Sequence, residues 1–278
     1  MTAAEVNYNR IHAERAVKEA GGISGKKCIV IGCNTGKDCS SFIEMGAREV
    51  HGVDIIDEIG GEYKDPHVTY FKMSAENMVD IKDDQYDLVY CFATMEHIPD
   101  IEAAFSEMVR VCRPGGILYC VSAPLWNSRN GHHKSNFFDS YPWIHLRMDE
   151  REIIAYCAAH GIADTTGNLP MSVHIAYMLD AAYFNKQPAR KYVETCAKLN
   201  KMIIICNELE FDDKKILTPD IYQELRPKGY TSEELLAIVH TYIGRKNKGK
   251  HHFWLPVIPR LKRLLKKSVS LRKTVTTS

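Results

Sequence analysis

Cys28-Ile29-Val30-Ile31-Gly32-Cys33-Asn34-Thr35-Gly36 is an apolar run that breaks on a turn of small residues. A second apolar run, Val50-His51-Gly52-Val53-Asp54, closes on an acid 18 positions beyond Gly36. Glycine in such a turn lets the backbone approach a ligand with no Cβ in the way. An acid ending the second strand is placed to accept hydrogen bonds from ribose hydroxyls. Strand, small-residue turn, helix, strand and carboxylate together make the layout of a nucleotide-cofactor site.

The pattern continues outward. Ala3 to Ala20 reads as a helix stopped by Gly21-Gly22, and Lys37 to Gly46 as the helix joining the two runs. Lys27 to Ile31, Glu49 to Asp54, Val68 to Met73, Tyr86 to Phe92 and Ile117 to Ser122 read as strands. Ile101 to Cys112 is amphipathic and helical, and Arg113-Pro114-Gly115-Gly116 is a helix stop and turn. Strands alternating with helices predict βαβ units with right-handed crossovers, hence a doubly wound α/β fold on a mostly parallel sheet. Beyond it, Asp149 to His160 is a helix, Ile162 to Thr166 a weak strand, and Met171 to Leu199 helical with a break at Lys186-Gln187-Pro188. Met202 to Cys206 is a buried strand, and Thr231 to Tyr242 a helix opened by Thr-Ser-Glu-Glu.

With 278 residues, 45% of them hydrophobic, the chain can bury one large core. No apolar run reaches the roughly 18 residues of a spanning helix. Met1 to Arg15 is too polar for an export signal, so a cytoplasmic protein is expected. The nine cysteines include no CxxC pair and lie in apolar or turn contexts, which predicts buried thiols. The net charge of +1 conceals an asymmetry: Arg245 to Ser278 holds 11 Lys/Arg and no Asp/Glu, against 25 basic and 35 acidic residues elsewhere. An acidic body argues against nucleic acid as a partner. The basic tail argues for an anionic partner of its own. Its stripe of Ile258, Leu261, Leu264, Leu265 and Leu271 among lysines and arginines suits a helix lying peripherally on an anionic membrane surface, or docking on an acidic partner.

Ile31 to Gly36, Asp54, Ser74-Ala75-Glu76-Asn77, Gln85 to Phe92, Met95 to Asp100 and Glu107 to Gly116 follow one another as an ordered set. Through these residues, the segment Lys26 to Ser122 resembles a class I S-adenosylmethionine-dependent methyltransferase with a type 11-like domain. The resemblance implies a seven-stranded Rossmann-like sheet with a helical insertion, and S-adenosyl-L-methionine as cofactor. It implies that Gly32, Cys33, Asn34 and Gly36 pack against the cofactor, that Asp54 and Ile55 lie at its ribose, that Met73, Ser74 and Ala75 wall its adenine, and that Cys91 and Phe92 meet its methionine end. Three positions depart from the family pattern. Val30 stands where the family keeps an acid for the cofactor's ammonium, Asn34 replaces the middle glycine, and Ser74 replaces an adenine-facing Asp. Asparagine tolerates a left-handed backbone, so the turn survives. The expected organisation is a methyltransferase domain over 1–210 (core 22–125, acceptor-side loop 123–148, helical cap 171–199), a helical extension over 211–244 and a basic tail over 245–278.

Methyl transfer from a sulfonium needs alignment, exclusion of water and, for a hydroxyl acceptor, a base. Histidine titrates nearest neutrality. The candidates are His97, after the fourth strand, and His132 and His133, after the fifth, on the sheet edge where such folds bind ligands. Trp126, Phe137, Phe138, Tyr141, Trp143 and His145 would add a sugar- or ring-binding surface, which points to O-methylation of a small molecule or a glycan-type acceptor. No metal is expected, because His132, His133 and His145 lack helical ligand spacing and an accompanying carboxylate pattern. Two alternatives stay open: a non-catalytic cofactor-binding protein of the same fold, and a nicotinamide-dependent oxidoreductase, for which the G-x-G-x-x-G spacing is missing.

Overall fold

The computed structural model describes residues 7–163 and 169–248. The tail stripe between Ile258 and Leu271 lies outside the described residues. Seven strands form one sheet in the order β3-β2-β1-β4-β5-β7-β6. They are β1 (Lys27–Ile31), β2 (Glu49–Asp54), β3 (Val68–Lys72), β4 (Tyr86–Phe92), β5 (Cys112–Ser122), β6 (Met202–Phe211) and β7 (Ala237–Lys246). The helices are α1 (Tyr8–Glu19), α2 (Lys37–Glu44), α3 (Ile101–Val111), α4 (Ser135–Phe138), α5 (Ile144–Arg147), α6 (Glu150–His160), α7 (Met171–Leu179), α8 (Ala189–Ala197), α9 (Pro219–Leu225) and α10 (Ser232–Leu236).

Successive residues of a strand face opposite sides of the sheet, and the core divides accordingly. Ile29, Ile31, Val89, Cys91, Leu118 and Cys120 pack with α3 and α8. Cys28, Val30, Leu88, Tyr90, Ile117 and Tyr119 pack with α1 and α2. Phe105 of α3 and Phe42 of α2 are fully buried, one on each side, and each such ring contributes about 1.5–3 kcal/mol. Asp100 starts α3 by accepting the Ala103 N–H at 3.0 Å, and Asp149 starts α6 in a reciprocal box with Glu152.

The structure departs from expectation in five places, the first being the edge strand β6, whose Ile203, Ile204 and Ile205 are exposed where a buried strand was expected. Arg113-Pro114-Gly115-Gly116 is not a free turn ahead of β5. Cys112 pairs with Tyr86 and Ile117 with Leu88, so the four residues bulge out within the strand. Thr231 caps a helix as expected, but α10 stops at Leu236 and β7 follows. Ile238-Val239-His240-Thr241-Tyr242-Ile243 is β-branched and aromatic, which suits a buried pleated strand. β7 runs antiparallel between β5 and β6, so 211–244 supplies a sheet strand and is not a purely helical extension. No strand forms at Ile162, whose N–H donates to Cys157 O at 3.0 Å; residues 164–168 lie outside the described ones. Finally, 171–199 is not one cap. α8 packs into the sheet core through Ala189, Tyr192 and Cys196, while α7 packs on α6 through Ile175 and Met178.

All nine cysteines are free, and eight are buried. Among the described residues, no helix is long and apolar enough to cross a membrane.

Candidate active site

Asp54 ends β2 and binds the loop after β1. Its Oδ2 accepts the Asn34 N–H at 2.8 Å, and its Oδ1 accepts those of Ile55 at 2.8 Å and Ile56 at 3.3 Å. Oδ2 therefore keeps a lone pair for a ligand hydroxyl. Asn34 sits at φ +49°, the left-handed region that asparagine tolerates. Gly32 and Cys33 both donate to Val53 O, at 2.8 and 3.2 Å. These loop amides are thus satisfied within the protein, and a ligand would meet the loop by packing. Ile55 projects beside the acid, 68% exposed.

Several expected contacts are used otherwise. A Cβ on Gly36, at φ +98°, would lie 2.3 Å from the Tyr70 hydroxyl, so this glycine makes room for Tyr70, which donates to Tyr63 O at 2.8 Å. A Cβ on Gly32 would lie 2.1 Å from Thr94 Oγ1, so Thr94 takes that space. The Cys33 side chain is buried with Val30 and Cys39. Cys91 is fully buried on the α3 side, while Phe92 leans the other way onto His12, ring centroids 4.7 Å apart. Adjacent strand residues face opposite layers, so the side chains of Cys91 and Phe92 do not line one surface. Ala75 is buried and Met73 packs against the same cluster. The Ser74 hydroxyl donates to Glu76 Oε2 at 3.0 Å, and Glu76 Oε1 accepts the Asp100 N–H at 2.7 Å.

The turn Met95–His97 after β4 carries the reactive groups. Asn185 fixes it: its side-chain amide donates to Met95 O and Ile98 O at 2.8 and 2.9 Å, and its N–H to Glu96 O at 3.0 Å. The His97 Nδ1–H donates to Tyr183 O at 2.8 Å, which leaves the lone pair on Nε2. Burial lowers the His97 pKa, so the ring is neutral at pH 7; the Tyr183 carbonyl and the charge of Asp54 oppose this. His133 donates from Nε2 to Pro124 O at 3.1 Å and keeps its lone pair on Nδ1. Burial lowers its pKa to about 4. The two imidazoles lie 5.0 Å apart, and Phe184 touches both, at 5.0 and 4.8 Å.

Glu96 was not singled out as reactive from the sequence. It is 2% exposed, and neither carboxylate oxygen has a hydrogen-bond partner. Burial raises its pKa to about 8, against weaker opposition from the backbone amides of Glu96 and Ala123, which lie nearby without meeting hydrogen-bond geometry. The signal available was an acid beside a histidine just past a buried strand.

His132 does not join the site. It is fully buried, its Nδ1 accepts the Lys134 N–H at 3.0 Å, and its ring packs on Phe138 and His145. Burial lowers its pKa to about 2, which removes it as a base at neutral pH. Phe138, Trp143 and His145 are buried too, so they form core and not an open stacking surface. A cavity of about 590 Å³ bordered by Asn127, Arg190, Lys228, Tyr230 and Glu234 contains none of the site residues.

Residues 29–120 match the family described as "Methyltransferase domain". The matched segment spans a third of the chain and corresponds to the first five strands of the sheet. The chain is 30% identical over 117 residues to a ubiquinone biosynthesis O-methyltransferase of Aeromonas salmonicida, covering 40% of this chain and 49% of that protein. It is 31% identical over 106 residues to one of the same name from Shewanella sp. (strain ANA-3), covering 36% and 44%. The chain thus spans about half the length of the curated relatives it matches. A solved S-adenosylmethionine dependent methyltransferase from Mesorhizobium loti aligns with 81% of this chain and 92% of its own, at 13% identity and a TM-score of 0.48.

Proposed function

We propose that this chain is an S-adenosylmethionine-dependent methyltransferase acting on an oxygen of a small-molecule acceptor. The observation that carries this reading is one sheet edge holding both halves of the chemistry. Asp54 closes β2 with a free lone pair, and the His97 imidazole follows β4 on the same edge of the sheet. When bound, the cofactor supplies an electrophilic methyl group with its own leaving group. Asp54 would hold the ribose diol with Ile55 beside it, and Met73, Ser74 and Ala75 would border the adenine. The Nε2 of His97 and the Nδ1 of His133 offer lone pairs that take the acceptor's proton. The buried ring of Phe184 packs on both imidazoles. The name of the relatives, O-methyltransferase, supports oxygen as the acceptor atom. Burial of Phe138 and Trp143 favours a compact acceptor over a glycan.

Calorimetry with S-adenosylhomocysteine and with NAD tests the cofactor; binding of NAD alone would support an oxidoreductase instead. Binding of S-adenosylhomocysteine with no turnover on any hydroxyl acceptor would support a non-catalytic protein. General-base catalysis contributes about 10²–10⁴-fold, so His97→Ala should cut kcat at least tenfold with product affinity held within twofold. Unchanged kcat in both His97→Ala and His133→Ala would remove the base assignment. The basic tail is proposed to hold the chain peripherally on an anionic surface inside the cytoplasm. Equal vesicle co-sedimentation of the full chain and a chain ending at Lys248 would refute that.

A further inference from the structure

We infer that Glu96, His97 and His133 form a binding site for one divalent transition-metal cation at the acceptor end of the crevice. One donor atom from each residue lies within 4.8 Å of the others. Two histidines and one carboxylate are a donor set suited to zinc, iron(II) or manganese, with positions left over for substrate or water.

Three independent features point the same way. First, the tautomers are set. His97 donates its Nδ1–H to Tyr183 O and His133 its Nε2–H to Pro124 O, so each ring is held by a backbone carbonyl with its other nitrogen unprotonated. A second bond of this kind is what orients a metal-ligating histidine. Second, both oxygens of Glu96 are buried without a partner. A buried carboxylate in that state is costly, and a cation between it and the two lone pairs satisfies it. Third, the three ligands come from two rigidly placed segments. Asn185 pins the Met95–His97 turn through three hydrogen bonds, and His133 is fixed at φ +58° against Phe184. The site therefore needs little ordering when a cation enters.

The use of this site rests on the methyl-transfer reading; its existence does not. With a cation in place, coordination replaces the base role given to His97 and His133 above, because their lone pairs then bind the metal. The acceptor hydroxyl is then activated by binding the cation, which lowers its pKa, and its proton leaves to water. An acceptor with two adjacent oxygens gains most, because both can reach the open positions.

The test uses the full chain stripped with EDTA, titrated by calorimetry with Zn²⁺, Mn²⁺ or Mg²⁺ alone, with no donor or acceptor present. Zn²⁺ and Mn²⁺ should bind at one per chain and more tightly than Mg²⁺. Glu96→Gln keeps the side-chain shape, and His133→Asn supplies a residue that accepts the left-handed backbone. Each should weaken Zn²⁺ binding at least tenfold, while thermal melts in EDTA show both variants folded. No binding, or equal binding in both variants, would overturn the site. Metal binding without methyl transfer would leave the site standing and refute the proposed reaction. Full methyl transfer by stripped, metal-free protein would do the reverse for the metal's role.

Discussion

Replacing Asp54 with alanine separates two jobs done by one carboxylate. The side chain accepts three backbone N–H groups, two at 2.8 Å and one at 3.3 Å. Hydrogen bonds to a charged acceptor contribute about 1.5–3 kcal/mol each when desolvated. Asp54 is only half-buried, and the released amides can reach water, so about 1 kcal/mol for each short bond is the better figure. The apo protein should then lose about 2 kcal/mol of stability in a urea titration. Product affinity should fall further, because the ribose loses its acceptor and the Asn34 turn loses its anchor. A single charge-assisted bond of about 1.5–3 kcal/mol corresponds to roughly 10- to 100-fold in Kd. Calorimetry with S-adenosylhomocysteine reads that loss, and Asp54→Asn, which keeps one oxygen, should fall between wild type and alanine. If alanine lowers stability but leaves affinity within twofold, Asp54 is a loop clamp and the ribose contact is wrong.

Other perturbations reach different parts of the structure. Gly36→Ala combines a strained φ of +98° with a Cβ 2.3 Å from the Tyr70 hydroxyl; urea unfolding should show a loss of about 3 kcal/mol, and a loss under 1 kcal/mol would refute the packing role. His240 is buried, its Nε2 facing Asn207 Oδ1 at 2.8 Å and its ring beside Tyr192, and burial lowers its pKa to about 4. The unfolded chain takes up that proton first, so the contribution is whole above about pH 6.5 and falls by about 3 kcal/mol as the pH drops to 4. His240→Gln should flatten the melting-temperature profile across that range, and an unchanged slope would refute it.

The strands that place the cofactor end were legible because each is buried on both faces and announces itself as an apolar run. β1, β2 and β4 match their expected bounds. β7 was hidden because a genuine local signal, the cap at Thr231, starts a helix that tertiary pairing ends after five residues. The bulge at Arg113 to Gly116 was read as a turn because a Pro-Gly-Gly sequence fits both, and only the pairing of Tyr86 with Cys112 separates them. Cys91 and Phe92 could have been treated better from the sequence alone. Two neighbours in a strand face opposite layers, so both side chains could not have faced one ligand.

The histidines show where sequence stops. His132 and His133 are adjacent, equally polar and flanked by the same glycine, yet one is core and the other stands beside His97. Local preference does not decide between them. His133 adopts φ +58°, which turns its ring toward His97 and Phe184, while His132 is drawn under Phe138 and His145. His132 is sorted by Phe138 and His145, six and thirteen positions on, but His133 by His97 and Phe184, 36 and 51 positions away, Phe184 lying beside Asn185 in the turn that pins Met95–His97. The same turn positions Glu96, so the hidden carboxylate and the sorting of the two histidines have one cause. A substitution that frees the turn, Asn185→Ala, should therefore disturb both at once: it removes two side-chain hydrogen bonds to Met95 O and Ile98 O. Zn²⁺ affinity and kcat should fall together at least tenfold, with product affinity at the Asp54 end unchanged. If only stability falls, the turn is structural support and the crevice assembles without it.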